Sequence, residues 1–319
     1  MQKTTVGRFA PTPSGRMHLG NVLCALLAWL SVRSVGGKMI LRIEDLDTRR
    51  CPPENAVLLE DDLHWLGLDW DEGGSLGGPH APYYQSICAP IYQPYLEQLQ
   101  RQGVLYPCFC SRAELHAADA PHLSDGRVRY NGKCRNLTPA EIAEKAKLHA
   151  PALRLRVPDA RIAFVDRCQG VYTQDLAADC GDFIVRRSDG VFAYQFAVVV
   201  DDARMGVTEV VRGRDLLSST PAQLHLYRML GLTAPSYAHI PLVLAPDGRR
   251  LSKRDGDLDL GALRARLPDP APLLGLLGYW CGLLPKPWPT TAQALIPLFS
   301  WEKIRREDIR LSEGPLFKN

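Results

Sequence analysis

Potential chemistry concentrates first in the segment RFAPTPSGRMHLGNVLCAL, Arg8 to Leu26, which sets a histidine, two prolines and two glycines directly before an apolar run. Pro11, Pro13, Ser14, Gly15 and Gly20 let the backbone turn sharply and approach a ligand closely, because glycine tolerates positive φ and proline limits chain freedom. The helix expected next offers unpaired amides and a partial positive charge to an anion. With the imidazole of His18 added, that is a seat for phosphate; taken alone, the same residues equally describe a structural strand-to-helix turn. A second stretch, RRLSKRD from 249 to 255, sets Lys253 between Ser252 and Arg254 in a basic loop that by itself reads as a solvated turn.

A third cluster consists of soft ligands. Cys108 and Cys110 flank Phe109, and Cys134 follows in a loop-rich stretch with turn residues at Ser124, Asp125, Gly126, Asn131 and Gly132. Tetrahedral zinc wants a fourth donor, and chemistry alone selects His116 or His122, imidazole being a commoner ligand than phenol. With four positions filled, such a zinc is structural. The other six cysteines, Cys24, Cys51, Cys88, Cys168, Cys180 and Cys281, read as ordinary reduced thiols.

These groups need a scaffold, and 319 residues with 46% hydrophobic content can bury a substantial core. A net charge of +3, from 38 basic and 35 acidic residues, is too small to establish a polyanionic partner. The apolar run Val22 to Leu30 resembles a secretory signal only superficially, since Arg33 follows and no small-residue cleavage site is evident. It reads as a buried helix; no segment approaches the roughly 20 apolar residues of a membrane span. The expected compartment is the cytoplasm.

The positioning elements follow from periodicity and punctuation. Thr4 to Phe9 reads as a strand, Asn21 to Val35 as a helix stopped by Gly36 and Gly37, and Lys38 to Ile43 as a second strand. That unit is long enough for a right-handed parallel crossover, so the first half is expected to be a doubly wound parallel α/β sheet with ligands beyond the carboxyl ends of its strands. Helices are expected over Glu54 to Trp65, Ile91 to Gln102 and Thr220 to Leu230, the last with Pro221 at its start. The stretches ALRLRV from Ala152, DFIVRRSDGVFAYQFAVVVDD and VTEVVRG suggest strands, with Asp189-Gly190 as a hairpin turn. HIPLVLAPDGRRLSKRDG reads as another hairpin-like segment ending in a basic loop, and short helical pieces follow Arg254.

The paired segments His18-Leu19-Gly20-Asn21 and Arg250-Leu251-Ser252-Lys253-Arg254 resemble the two adenylate-forming motifs of class I aminoacyl-tRNA synthetases, although Asn21 and Arg250 depart from the generic HIGH and KMSKS letters. RFAPTPSGRMHLGN, LRIEDLD, FAYQFAVVVDD and VVRGRDLL narrow the resemblance to the glutamyl-tRNA synthetase catalytic domain over residues 4 to 260. The chain after Arg254 is too short for the large helical anticodon-binding region of that enzyme, which makes the shorter paralogous family, the glutamyl-Q tRNA(Asp) synthetases, the better match. The resemblance implies a Rossmann-like catalytic domain in two halves, 1–105 and 186–260. A zinc-bearing insertion over 106–185 and a short C-terminal extension over 261–319 complete the expected organisation.

The implied reaction joins L-glutamate to ATP, with Mg²⁺, and transfers it to queuosine in the anticodon of tRNA(Asp). His18, Gly20, Asn21 and Lys253 are then expected at ATP, with His18 and Lys253 catalytic and Asp215 a further nucleotide contact. Arg8, Ala10, Thr12, Glu44, Tyr194 and Arg212 are expected around glutamate. Arginine suits a carboxylate because its planar fork grips two oxygens, and such a site should reject glutamine. The resemblance also points to Tyr130, through CFC…RYNGKCR, as the fourth zinc ligand beside Cys108, Cys110 and Cys134. Without this context Tyr194 fits a buried core equally well, and Arg8 or Arg212 fits a bridge to Glu209 or Asp215. Two further readings are a short glutamyl-tRNA synthetase charging a tRNA 3′ end and a non-catalytic tRNA- or zinc-binding module.

Overall fold

The structure is a computed structural model and describes residues 4–111, 114, 129–249, 251 and 259–311. Its opening unit is β1 (Val6–Phe9), α1 (Leu19–Arg33) and β2 (Lys38–Leu41). Helix α1 begins two residues before the expected Asn21 because His18 caps it: the ring Nδ1 accepts from the Gly20 N–H at 3.2 Å, and Asn21 Oδ1 accepts from the His18 N–H at 3.2 Å. Most of α1 is buried, including the whole run from Ala25 to Val32. A Cβ on Gly7 would lie 2.4 Å from Val32 Cγ2, so the bare backbone there lets α1 press onto β1.

The chain continues through α2 (Pro53–Trp65), β3 (Glu72–Gly73), α3 (Ala89–Arg101), β4 (Leu105–Cys108), α4 (Pro139–Ala146), β5 (Ala152–Leu155), β6 (Arg161–Asp166), β7 (Gly170–Asp175) and β8 (Phe183–Arg186). It then forms α5 (Tyr194–Arg204), β9 (Glu209–Gly213), α6 (Thr220–Leu230), β10 (Ser236–Ile240), β11 (Val243–Leu244), α7 (Leu260–Arg266), α8 (Ala271–Trp280), α9 (Ala292–Leu295) and β12 (Ile309–Arg310). The main sheet has the order β3-β2-β1-β9-β10-β6-β7 and is parallel throughout except for β7. The winding proceeds outward from β1 on one side and from β9 on the other, so the crevice between these two strands is a topological switch point. This is the expected doubly wound arrangement in its mostly parallel form.

Two local expectations need correction, and one hairpin makes a pairing that the sequence did not announce. FAYQFAVVVDD is helical, as α5: its residues from Phe196 to Asp202 are all buried, and a continuous apolar run carries no period that separates a covered helix from a covered strand. The β6–β7 hairpin lies between residues expected to form an insertion, yet it is hydrogen-bonded into the main sheet where Asp166 pairs with Tyr237. In HIPLVLAPDG, β10 is a central parallel strand and β11 pairs with β12 from the far end of the chain; only the tight turn survives as expected, with Ala245 N–H donating to Arg249 O at 2.9 Å. The Asp189-Gly190 turn is present, Gly190 having φ +86°.

A separate antiparallel sheet, β4-β5-β8, carries the cysteine-rich segment. The largest core lies beneath α1 and includes Leu260, Leu263, Leu273, Leu274, Leu277 and Leu295, so the helices after residue 259 cover the first crossover. All nine cysteines are free, and no described helix is long and apolar enough to cross a membrane.

Candidate active site

A cleft of about 570 Å³ opens at the carboxyl ends of β1, β9 and β10, and it gathers the expected residues Arg8, Ala10, Thr12, His18, Gly20, Asn21, Glu44, Tyr194 and Arg212. Asp215 lines it as well. Lys253, with Ser252 and Arg254, lies outside the described residues; Leu251 lines the cleft. Two widely separated segments meet on the His18 side of the cleft, because Leu260 N–H donates to Met17 O at 2.8 Å and His18 bridges to Asp259. Asp62 on α2 reinforces that junction by pairing with Arg16 and, at 2.7 Å, with Arg264. The stretch that follows the basic loop is therefore tied to the loop that carries His18.

Opposite charges crowd the other side. Arg8 donates to Val211 O at 3.1 Å, and its Nε lies 3.4 Å from Asp202 Oδ1. Arg42, wholly buried, donates to Asp202 at 2.6 Å and to Glu44 Oε1 at 3.1 Å. Burial pushes the Glu44 carboxyl above its ordinary value, with Arg42 and Arg8 opposing the shift. Arg42, Asp201 and Asp202 escaped the sequence reading; the only local signal was the Asp-Asp pair ending an apolar run, which becomes informative once that run is a helix aimed at β2.

Arg8 and Arg42 each leave Nε without a hydrogen-bond partner but sit beside carboxylates, and Arg212 differs from them in that second respect. It is buried, donates from Nε to His239 Nε2 at 3.0 Å and from Nη2 to Thr220 Oγ1 at 2.8 Å, and its Nη1 has no partner among the described residues. Among the described residues no carboxylate lies within 4 Å of this guanidinium. Glu209, one alternative partner for Arg8 or Arg212, is engaged by Arg167 at 2.5 Å and by Ser31. Tyr194 is half-buried: its ring packs against the core between α3, α5 and α6, and it lines the cleft, so the core and pocket readings of this residue are compatible.

The cysteine cluster is assembled on β4 and the segment before α4. The sulfurs of Cys108, Cys110 and Cys134 all lie within 4.8 Å of one another, with Cys110 and Cys134 3.6 Å apart. Tyr130 Oη stands 3.6 Å from Cys108 Sγ and 3.7 Å from Cys110 Sγ. Bonds of about 2.3 Å at tetrahedral angles separate two sulfurs by about 3.8 Å, so this donor set fits zinc. His116 and His122 lie outside the described residues. Arg154 places Nε 3.2 Å from Cys108 Sγ and its guanidinium 3.8 Å from the Tyr130 ring centre, a cation suited to balance three thiolates around a dication. Burial pushes Cys110 up to about 12, so a bound dication would have to offset that desolvation for the thiolate to form. The nearby basic residues are mostly engaged: Lys133 pairs with Glu114 at 2.6 Å and Arg135 with Asp182 at 3.4 Å.

A switch-point cleft flanked by a capped helix start and a buried guanidinium suits a negatively charged ligand, and comparison with known proteins gives the class. Residues 4–270 match the family of tRNA synthetases class I (E and Q), catalytic domain, and the chain belongs to that family of ligases. Within it, the chain is 52% identical over 308 residues to the Glutamyl-Q tRNA(Asp) synthetase of Symbiobacterium thermophilum, covering 96% of this chain and 95% of that one. It is 49% identical to the protein of the same name from Nitratidesulfovibrio vulgaris, covering 92% and 91%. The crystal structure of a glutamate tRNA ligase from Elizabethkingia meningosepticum, in complex with its amino acid, superposes with a TM-score of 0.83 at 30% identity, covering 97% of this chain and 67% of that one.

Proposed function

We propose that this chain activates L-glutamate with ATP and esterifies it to queuosine in the anticodon of tRNA(Asp). The observation that carries the amino-acid half is Arg212, a buried guanidinium with an unpaired Nη1 and no carboxylate partner among the described residues, at the wall of a cleft that also holds Glu44 and Tyr194. A buried cation without a counter-ion is costly, and a ligand carboxylate supplies one. Glu44 attracts the ammonium, Arg8 and the backbone at Ala10 and Thr12 border the same ligand, and Tyr194 closes it with its ring. In the first step a glutamate α-carboxylate oxygen attacks the α-phosphorus of ATP, and the bond to the β-phosphate oxygen breaks to release pyrophosphate. His18, the helix start at Gly20 and Asn21, and Lys253 hold the phosphates in line; Asp215 is a further nucleotide contact. Magnesium arrives with the ATP and shares the charge.

In the second step a hydroxyl of queuosine attacks the activated carbonyl, forming the ester and releasing AMP. The tRNA target is supported by the similarity, along nearly the whole chain, to proteins named for it. Cys108, Cys110, Cys134 and Tyr130 hold one structural zinc in the insertion 106–185, which lies between the catalytic halves 1–105 and 186–260; 261–319 forms the C-terminal extension. Free thiols and a tRNA substrate suit the cytoplasm. The test is transfer of labelled glutamate to tRNA(Asp) with and without queuosine, followed by mapping of the labelled nucleotide. Label at the anticodon only when queuosine is present is expected; label at the 3′ end indicates a short glutamyl-tRNA synthetase, and absence of pyrophosphate exchange indicates a non-catalytic module.

A further inference from the structure

Behind Arg212 stands a chain of buried groups that contributes nothing to the cleft surface. His239 on β10 is wholly buried, accepts from Arg212 Nε at 3.0 Å through its Nε2, and turns its Nδ1 to Asp166 Oδ2 at 2.5 Å. Asp166, at the end of β6, also accepts the backbone N–H groups of His239 and Cys168 at 3.0 Å and of Gln169 at 2.8 Å. A carboxylate held by three amides is fixed in place and can only accept, so His239 carries its proton on Nδ1 and presents a bare Nε2 to the arginine. A doubly protonated ring would set N–H against N–H. Burial depresses His239 to about 4, with Arg212 adding to the shift and Asp166 opposing it, which keeps the ring neutral at ordinary pH.

We infer that Asp166 and His239 form a positioning pair behind Arg212 that sets the preference of the site for a side-chain carboxylate over an amide. The inference rests on the reading of Arg212 as the partner of the glutamate side chain. A carboxylate placed directly on Arg212 would orient it equally well but would neutralise it, and a neutralised guanidinium discriminates weakly between glutamate and glutamine. An interposed neutral imidazole fixes the plane of the fork through Nε, Thr220 Oγ1 fixes it through Nη2, and the charge remains for the ligand. Glutamine leaves that buried cation uncompensated, which is the basis of its rejection. Asp166 comes from the hairpin between two strands of the antiparallel sheet, so a segment expected to serve only the insertion reaches across β10 to the amino-acid pocket.

The test measures pyrophosphate exchange with glutamate and with glutamine, over ranges of amino acid and ATP, for Asp166→Asn, His239→Gln and Arg212→Lys. Asp166→Asn offers an amide N–H to Nδ1, which favours the opposite tautomer and sets Nε2–H against Arg212. Both positioning variants are expected to raise the KM for glutamate roughly 10- to 100-fold, to narrow the glutamate-to-glutamine ratio by a similar factor, and to leave the KM for ATP within about twofold. An unchanged glutamate KM in Arg212→Lys overturns the underlying reading of Arg212. A large effect in Arg212→Lys with unchanged glutamate KM and ratio in folded Asp166→Asn and His239→Gln overturns the positioning pair alone. Should those variants fail to fold, nitrogen NMR of ring-labelled histidine in the wild-type protein decides: a proton on Nδ1 with Nε2 bare at pH 6 supports the pair, and a proton on Nε2 overturns it.

Discussion

His239 should account for an identifiable share of the destabilisation of this protein by acid. His239 titrates near 6.5 when unfolded and at about 4 in the folded chain, burial being the main cause. Because the folded value is depressed, the unfolded chain binds the proton first, and stability falls as pH drops from about 6.5 towards 4. The contribution is fully present above that window. For these two values the loss between pH 7 and pH 5 comes to about 2 kcal/mol. Asp166 does not blur the window: burial opposes ionisation, but hydrogen bonds from the His239 ring and from backbone amides hold its carboxyl below the usual range, so its own loss comes at lower pH. His225, also depressed by burial and by Arg228, is present in wild type and variant alike and cancels. The assay is urea unfolding of wild type and His239→Gln, followed by tryptophan fluorescence at pH 7 and pH 5. The variant has a lower stability at pH 7 but should lose about 2 kcal/mol less on acidification. Equal losses in the two proteins, within about 0.5 kcal/mol, would refute the assignment of a neutral buried imidazole.

Two further outcomes are expected. Metal analysis should find one zinc per chain, lost in Cys134→Ser; a zinc-free wild-type protein rejects the site, whereas zinc kept in Tyr130→Phe but lost in His116→Ala rejects only the phenol as fourth ligand. Lys253→Ala should lower pyrophosphate exchange by about 10² to 10³, the scale of one preorganised charge-stabilising contact, and an unchanged rate removes Lys253 from the chemistry.

Much of the architecture was readable locally. Gly36 and Gly37 end α1, Pro221 opens α6 at its second position, and the crossover from β1 through α1 to β2 follows from short-range periodicity. The capping role of His18 was missed, although Asn21 three residues later was its signal, since a capping box needs only neighbours in sequence. The strand assignment for Tyr194 to Arg204 failed for a physical reason: a run buried on every side has lost the amphipathic pattern by which a helix is recognised.

The side chains that border the cleft were named from short segments that resemble family motifs, and each segment folds as a loop, a strand end or the first turn of a helix. Their mutual placement was a different matter. Arg42 meets Asp202 across 160 residues, and His239 meets Asp166 across 73. Neither pair has any local spacing to betray it. The amino-acid sequence by itself determined where the chain turns, which residues cap its helices and which carry reactive atoms, because those properties depend on interactions within a few residues. Only the tertiary structure decided which acid faces which base, because the order of strands in the sheet brings distant charges together, and their burial there leaves them dependent on one another instead of on water.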